Sequence, residues 1–337
     1  MAVFECQDLA VMPQIPHAVR VHVTNRCGLN CSSCTVSQSR DCVDPTFGEV
    51  LGWVLKCYNL GMRCIEIAGG DPTLWLGIRE LLKLCQDFGI LTLLPVSGPG
   101  LVDSFARLGT DWLSYPGVVR ISTHRDEMFK ITLESVEQAL AVATSLRPQG
   151  ATQLGVVLTP GPKGNIKQEF LDRVLSMANE RPDPVPVHAV TAWGTWQNGN
   201  LAKYEELWRN ITEGQREIVR WFIRQPGVLP SGIQKVNDRL SLVSANNKKS
   251  SVCQAGVEVI TIINGVVSGP CLRRAYVNPE VGHSLEQVLR SPLWLNGLRE
   301  RGSFEECEGC TAGCHGAMAA LSGLTDPMEV RRAFATM

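Results

Sequence analysis

Residues 18–34 read AVRVHVTNRCGLNCSSC, a strand pattern that runs directly into a cysteine-rich loop. The alternation of valine with polar residues over 18–24 predicts a β-strand with two different faces. The loop that follows places Cys27, Cys31 and Cys34 in a C-x3-C-x2-C run. Three thiolates on a short loop can bind three corners of an iron–sulfur cube and leave the fourth iron open to a cofactor.

Two other interpretations of this triad remain open on the residues alone. Thiolates also bind zinc, and an isolated cysteine is often an inert, small apolar residue of a core. A second motif narrows the choice, since residues 68–72 read AGGDP at the end of another strand pattern. Glycines permit a close backbone approach, and carbonyls with a carboxylate at a strand end can receive a cationic amino group. Without the triad, the same residues would predict only a turn.

Short β-branched runs alternate with longer amphipathic stretches through the first two thirds of the chain. This pattern is typical of a parallel sheet with crossover helices. Six strands are predicted, at 18–24, 63–68, 90–96, 118–124, 152–159 and 185–191. Apolar residues have helical spacing at 77–89 and 133–146. The secondary structure of the segment before the fourth strand is the least clear from the sequence.

The cysteine loop and the GGDP turn together resemble the signature of the radical S-adenosylmethionine superfamily. The resemblance implies an α/β fold with a partial (βα)6 TIM-like barrel, and a 4Fe-4S cluster on Cys27, Cys31 and Cys34 whose open iron chelates S-adenosylmethionine. In that family, an electron from the cluster cleaves the cofactor to methionine and a 5′-deoxyadenosyl radical, which abstracts a hydrogen atom from the substrate. An electron donor such as flavodoxin or ferredoxin is implied as a partner. Ser33 departs from the family pattern, which usually has an aromatic residue there.

The resemblance also implies a set of cofactor-binding residues. GGDP matches the family's GGEP motif with Asp71 in place of glutamate, and it is expected to receive the ammonium of S-adenosylmethionine. Ser122 matches a position that often contacts the cofactor's ribose or carboxylate, although a serine in a strand is also commonly structural. The residues assigned to the cofactor are Gly69, Gly70, Asp71, Pro72 and Ser122.

Strand parity predicts that polar side chains share the barrel lumen. The first strand carries Arg20, His22 and Thr24 on one face, and the fourth strand carries Arg120, Ser122 and His124. Burying them unpaired would be costly, so they imply either a polar ligand or an ion-pair network that includes Glu66 on the second strand. His22 and His124 lie nearest the strand ends, where such barrels bind ligands, and are the candidates for a catalytic role in substrate contact.

A second group of cysteines surrounds a predicted hairpin at Asn264-Gly265, with one cysteine before the hairpin and four after it. Its spacing suits a closed four-thiolate site, and it resembles the twitch and SPASM modules that hold auxiliary clusters. A full SPASM module has seven cysteines for two clusters, so five imply one auxiliary 4Fe-4S cluster, with Cys314 as the alternate ligand. Zinc satisfies the same spacing. The five candidate ligands are Cys253, Cys271, Cys307, Cys310 and Cys314.

Bulk composition limits the partners. With 32 basic and 33 acidic residues, no global positive field favours an extended nucleic acid. No uninterrupted apolar segment is as long as that of a signal peptide or a membrane span, so a cytoplasmic protein without a membrane partner is expected. In that compartment the 13 cysteines are not expected to form disulfides. Cys6, Cys42, Cys57, Cys64 and Cys85 are assigned to packing, and His315 to the surface.

The expected domains are an N-terminal extension at 1–17, a radical S-adenosylmethionine barrel at 18–200, a helical connector at 201–250, a twitch/SPASM-like cluster module at 251–316 and a tail at 317–337. The short extension leaves no room for an N-terminal peptide-binding domain, which favours oxidation, epimerisation or rearrangement of a small polar molecule. Modification of a peptide or protein is the alternative within the enzyme class. A non-catalytic iron–sulfur electron carrier or sensor is the alternative outside it.

Overall fold

The computed structural model of the chain describes a sheet and helices that cover it. The described residues are 18–29, 43–109, 117–122, 133–145, 151–158, 167–182, 184–185, 187–191, 217–218, 221–222, 225–226, 228–229, 259–263, 265–268, 285–292 and 294–295. No helix within these ranges is both long enough and apolar enough to cross a membrane.

A single open sheet organises these residues, and its six leading strands run parallel in chain order, which confirms the predicted α/β architecture. The full order is β7-β6-β5-β4-β3-β2-β1-β8-β9. The strands are β1 Ala18–Thr24, β2 Cys64–Gly69, β3 Leu91–Ser97, β4 Gly117–Ser122, β5 Ala151–Leu158, β6 Val187–Thr191, β7 Val228–Leu229, β8 Val259–Ile263 and β9 Val266–Ser268.

Helices connect the strands as the alternation of patterns predicts. They are α1 Phe47–Asn59, α2 Ile78–Asp87, α3 Gly98–Leu108, α4 Leu133–Ser145, α5 Gln168–Asn179 and the short α6 Leu285–Leu289, with a 3-10 turn at Pro72–Leu74. Helix α1 begins with a capping box, in which Thr46 and Glu49 satisfy each other's backbone amides. Helix α3 occupies the segment that was least clear from the sequence.

The two faces of the sheet differ in chemistry. One face packs against the helices, with Val19, Val21 and Val23 of β1 buried in the same core cluster as Val50 and Val54 of α1. We call the opposite surface the inner face. Register pairing places Arg20 beside Glu66 on that face, and the alternation along β4 puts Arg120 and Ser122 there as well. The predicted parity of β1 is confirmed for Arg20 and His22, and the register against β2 shifts between His22 and Thr24.

The hairpin expected near residue 264 belongs to the same sheet. Strands β8 and β9 are antiparallel, and Gly265 between them has a φ of 77°, which suits a tight hairpin turn. Strand β8 pairs in parallel with β1, residue by residue from Ala18 to His22. The start of the predicted C-terminal module thus extends the barrel sheet on the side of the cysteine loop.

Candidate cofactor site at the end of the first two strands

The Gly-Gly turn packs directly against the entry to the cysteine loop. Gly70 N–H donates to the carbonyl of Thr24 at 2.8 Å, and Asp71 N–H donates to the carbonyl of Arg26 at 2.7 Å. A Cβ on Gly69 would lie 2.2 Å from the Thr24 oxygen, and one on Gly70 would lie 2.2 Å from the Arg26 oxygen. Gly69 also has a φ of 142°. The glycines are therefore required by the chain's own backbone, a reason that the sequence did not reveal.

The Asp71 carboxylate accepts hydrogen bonds from two neighbouring residues of the chain, Thr73 and Ser97. It is buried, and its Oδ1 accepts hydrogen bonds from the amide and the hydroxyl of Thr73, at 3.0 and 2.6 Å. Ser97, at the end of β3, donates to Oδ2 at 3.4 Å and accepts from Gly100 N–H at 2.8 Å. A carboxylate has about four acceptor sites, so these bonds leave capacity for a further donor. Ser97 is a site residue that sequence reasoning missed.

Arg26 and Asp44 join the two described ends of the cysteine loop. The guanidinium of Arg26 forms an ion pair with the Asp44 carboxylate, which also accepts a 2.7 Å hydrogen bond from the Thr24 hydroxyl. The same guanidinium donates to the carbonyl of Leu74 at 3.0 Å, just beyond the GGDP turn. Sequence reasoning missed this pair as well, because 17 residues separate its members.

An ion pair occupies the inner face below the site. Arg20 donates from Nε and Nη2 to the two carboxylate oxygens of Glu66, at 2.8 and 2.9 Å. Arg120 is buried on β4, and its desolvation lowers its pKa to about 10 although the nearby Glu66 charge opposes the shift. Of the two interpretations left open for these polar groups, the ion-pair network is present between Arg20 and Glu66. Groups closer to the strand ends remain candidates for ligand contact.

His22 and Ser122 are such groups. His22 follows Arg20 on the inner face, and burial lowers its pKa to about 4, with the Arg20 charge acting in the same direction and Glu66 opposing. The imidazole is therefore neutral near pH 7 and can donate one hydrogen bond and accept another. Ser122 is half-buried at the end of β4 and pairs in register with Ser97 on β3 and with Gly155 on β5.

The described cysteines fall into two kinds. Cys27 is half-buried in the loop, and the amide of Leu29 donates to its sulfur at 3.4 Å. Cys57, Cys64 and Cys85 are buried, and burial raises the pKa of each thiol to about 12, which confirms their assignment to packing. No three His, Cys, Asp or Glu side chains within the described ranges form a metal-binding group.

Most of the other predicted ligands lie outside the described residues. These are Cys31 and Cys34 of the triad, His124, and the C-terminal cysteines Cys253, Cys271, Cys307, Cys310 and Cys314. The connector at 201–250 is described only in part, and the extension at 1–17 and the tail at 317–337 are not described. Asn264, Cys6, Cys42 and His315 also fall outside the described ranges.

Similarity to curated proteins is confined to short segments, and no family model matches the chain. The chain is 35% identical over 75 residues to the 7,8-dihydro-6-hydroxymethylpterin dimethyltransferase of Methanocaldococcus jannaschii. It is 29% identical over 69 residues to the GTP 3′,8-cyclase of Clostridium perfringens, and 29% identical over 113 residues to the PqqA peptide cyclase of a Methylobacterium. These segments cover 21, 19 and 30% of this chain and 15, 21 and 29% of the three relatives.

Similarity to solved structures extends over nearly the whole chain. Streptococcus suis SuiB bound to its precursor peptide SuiA superposes with a TM-score of 0.60 at 16% identity, covering 96% of this chain and 76% of that one. The structure of anSMEcpe with bound AdoMet and the Cp18Cys peptide gives a TM-score of 0.50 at 13% identity, covering 95 and 98%. At such low identity these likenesses concern the fold.

The curated relatives and the fold neighbours have one superfamily in common. In this chain the C-x3-C-x2-C run starts three residues after the end of β1, and the GGDP turn after β2 is hydrogen-bonded to Thr24 and Arg26, just before the run. The sheet itself has the open parallel order of those neighbours. The chain is therefore similar to the radical S-adenosylmethionine superfamily, both in these short sequence matches and in its fold.

Proposed function

We propose that the protein is an enzyme that binds a 4Fe-4S cluster through Cys27, Cys31 and Cys34 and uses it to cleave S-adenosylmethionine reductively. When bound, the cluster would supply the one electron that this cleavage needs, and the cleaved cofactor would supply the group that removes a hydrogen atom from the substrate. The observation that carries the proposal is the hydrogen-bonded contact between the cysteine loop and the Gly69-Gly70 turn. This contact supports the proposal because it joins the GGDP turn to the residues that lead directly into Cys27.

The chemistry of the described residues fits this role. Cluster ligation requires thiolates, and Cys27 lies just beyond the carboxyl end of β1 with an amide donor on its sulfur, a type of contact that tunes iron–sulfur sites. The thiols of Cys57, Cys64 and Cys85 have raised pKa values in the core, so they are poor ligands.

Residues around the turn would hold the cofactor. The strand-end carbonyls of Gly69 and Gly70, with the remaining acceptor capacity of Asp71, would receive the cofactor's ammonium, and Pro72 would start the 3-10 turn that fixes them. Ser122 would donate to the ribose or carboxylate. His22 would offer a neutral hydrogen-bonding group to the substrate, and we assign the same role to His124.

A second cluster is part of the proposal. Cys253, Cys271, Cys307 and Cys310, with Cys314 as the alternate, would hold one auxiliary 4Fe-4S cluster in a twitch/SPASM-like module. Strand β8 supports this arrangement, because it begins soon after Cys253 and joins the sheet beside β1. The auxiliary cluster would either accept an electron or orient the substrate. Flavodoxin or ferredoxin would serve as the electron donor.

The substrate is proposed to be a small polar molecule, because His22 and Ser122 present polar groups on the inner face near the ends of β1 and β4. A peptide is the second candidate. The likeness to the PqqA peptide cyclase and to peptide-bound SuiB supports it. Mass spectrometry after incubation with one deuterated candidate at a time would separate the two, since deuterium appears in 5′-deoxyadenosine only when the labelled candidate is the hydrogen donor.

The test of the central proposal is anaerobic reconstitution followed by dithionite and S-adenosylmethionine. Wild-type protein should hold about eight irons and form 5′-deoxyadenosine. Replacing Cys27, Cys31 and Cys34 by alanine should remove about half of the iron and all of the cleavage. Cys57→Ala, at a buried helix position, is the control and should retain both. Cleavage by the triple variant would refute the triad as the cluster site, and wild-type protein that binds clusters without cleaving the cofactor would favour the electron carrier or sensor.

A further inference from the structure

We propose that Arg26 and Asp44 form a clasp that holds both ends of the cysteine loop against the GGDP turn and so positions the cluster thiolates relative to the cofactor. The inference rests on the proposed function, since it concerns how that site is assembled. Arg26 directly precedes Cys27, and Asp44 lies three residues before Phe47, where helix α1 begins after its N-cap Thr46. The ion pair therefore joins the entry and the exit of residues 27–43.

The exit of the loop is anchored by three adjacent residues. The Asp44 carboxylate binds the Arg26 guanidinium and the Thr24 hydroxyl. The Pro45 carbonyl accepts a 2.9 Å hydrogen bond from Trp75 Nε1. Thr46 then caps α1, which packs on β1. The exit is thus fixed to the sheet and to the segment that follows the turn.

The entry of the loop is bound to the same segment. The carbonyls of Thr24 and Arg26 accept the amides of Gly70 and Asp71, and Arg26 Nη2 donates to the Leu74 carbonyl at 3.0 Å. The Thr24 hydroxyl accepts the Arg26 amide at 3.0 Å while it donates to Asp44. One guanidinium consequently connects the loop entry, the loop exit and the end of the GGDP segment.

The burial and the side-chain chemistry of Arg26 and Asp44 suit a positioning role better than those of an ordinary surface ion pair would. The Asp44 side chain is only 12% exposed and that of Arg26 is 36% exposed, so the pair is partly shielded from water. Arginine presents several donors in a planar fork, and it can bind a carboxylate and a carbonyl together in a way that a lysine ammonium does less well. An exposed ion pair such as that of Arg290 and Glu286 contributes little to the free energy of unfolding.

The experiment compares Asp44→Ala, Asp44→Asn and Arg26→Lys with wild-type protein, with Glu286→Ala as the matched control that breaks an exposed ion pair. Each protein is reconstituted anaerobically. Iron content, the rate of iron loss to a chelator, the S-adenosylmethionine dissociation constant by equilibrium dialysis, and the cofactor-induced change in the electron paramagnetic resonance spectrum of the reduced cluster are then measured. Circular dichroism checks that each variant is folded.

All the cluster thiols remain in these variants, so the iron content should equal that of wild type. Replacing a group that orients a metal ligand typically lowers metal affinity or activity by about 10-fold or more. Asp44→Ala should therefore lose iron about 10-fold faster, bind S-adenosylmethionine about 10-fold more weakly and show a smaller cofactor-induced spectral change. Asp44→Asn keeps the acceptor for Thr24 but loses the charge, and Arg26→Lys keeps the charge but loses the fork, so both should show intermediate defects.

Values for all three variants that match those of Glu286→Ala would overturn the clasp while leaving the proposed function intact. If Asp44→Ala does not fold, Asp44→Asn and Arg26→Lys decide the matter by the same measurements. A wild-type protein that neither holds a cluster nor cleaves S-adenosylmethionine would instead refute the proposed function, and the clasp's role would fall with it.

Discussion

Replacing Glu66 by glutamine tests the charge arrangement of the inner face. Glu66 has a side chain that is 5% exposed, and it binds Arg20 through two hydrogen bonds of 2.8 and 2.9 Å. Its charge also supports the protonated state of Arg120, which burial opposes. The Glu66→Gln variant would retain both arginines without the carboxylate that lies between their strands.

The magnitude follows from the burial of the pair. Removing one partner of a buried ion pair typically costs about 3–5 kcal/mol in the free energy of unfolding, because the other charge is left without compensation. Arg20 is 24% exposed and keeps some contact with water, so we expect the lower end, about 3 kcal/mol. A chain of 337 residues has an unfolding entropy of about 0.7 kcal/mol/K, and the midpoint should fall by about 4 °C.

The assay is thermal and urea unfolding of the metal-free protein, followed by circular dichroism. Glu286→Gln is the control, and it should change the free energy of unfolding by less than about 0.5 kcal/mol because its ion pair is exposed. The double variant Arg20→Met/Glu66→Gln should lose less than the sum of the two single variants, since only one interaction exists to be lost. A loss below about 1 kcal/mol in Glu66→Gln, or strict additivity in the double variant, would refute the reasoning.

Three further predictions concern individual residues. The pKa of His22 is lowered to about 4, so between pH 6.5 and 4 the unfolded chain binds a proton that the folded protein does not. Acidification through this window should lower the free energy of unfolding of wild type by up to about 3 kcal/mol, a loss that His22→Asn should not show. Equal pH profiles of the two proteins in urea unfolding would contradict this. Asp71→Ala should weaken S-adenosylmethionine binding in equilibrium dialysis without loss of cluster iron, whereas unchanged affinity would limit Asp71 to its hydrogen bonds with Thr73 and Ser97. Cys253→Ala or Cys307→Ala should lose about four irons and some stability while cofactor cleavage stays measurable, and stoichiometric zinc with about four irons in wild-type protein would show that the second site is not a cluster.

Local patterns predicted most of the sheet correctly. The alternation in AVRVHVT gave β1 with its observed bounds, and the other five predicted strands lie within two residues of those in the structure. These patterns predict strands because the two faces of a strand meet different surroundings, and the polarity of each side chain matches the surroundings of its own face. Helix α3 was missed because its first residues, Gly98, Pro99 and Gly100, indicate a turn more strongly than a helix.

Pairings between distant residues were outside the reach of these patterns. The sequence predicted an ion-pair network that includes Glu66, but only the register of β1 against β2 showed that Arg20 binds this carboxylate. The Thr-x-x-Glu signal at Thr46 and Glu49 could have located the start of α1, and hence the loop exit at Asp44. No local signal links Asp44 to Arg26.

The sequence by itself determined the strand-to-cysteine-loop order, the glycine turn and the polar parity of the inner face, because spacing and alternation along the chain specify them. Only the tertiary structure decided what these features contact. It showed that Gly69 and Gly70 make room for the backbone of Thr24 and Arg26, and that β8 lies beside β1. Such contacts depend on strand order and register, which are set by the packing of the whole sheet and leave no trace in the periodicity of any one segment.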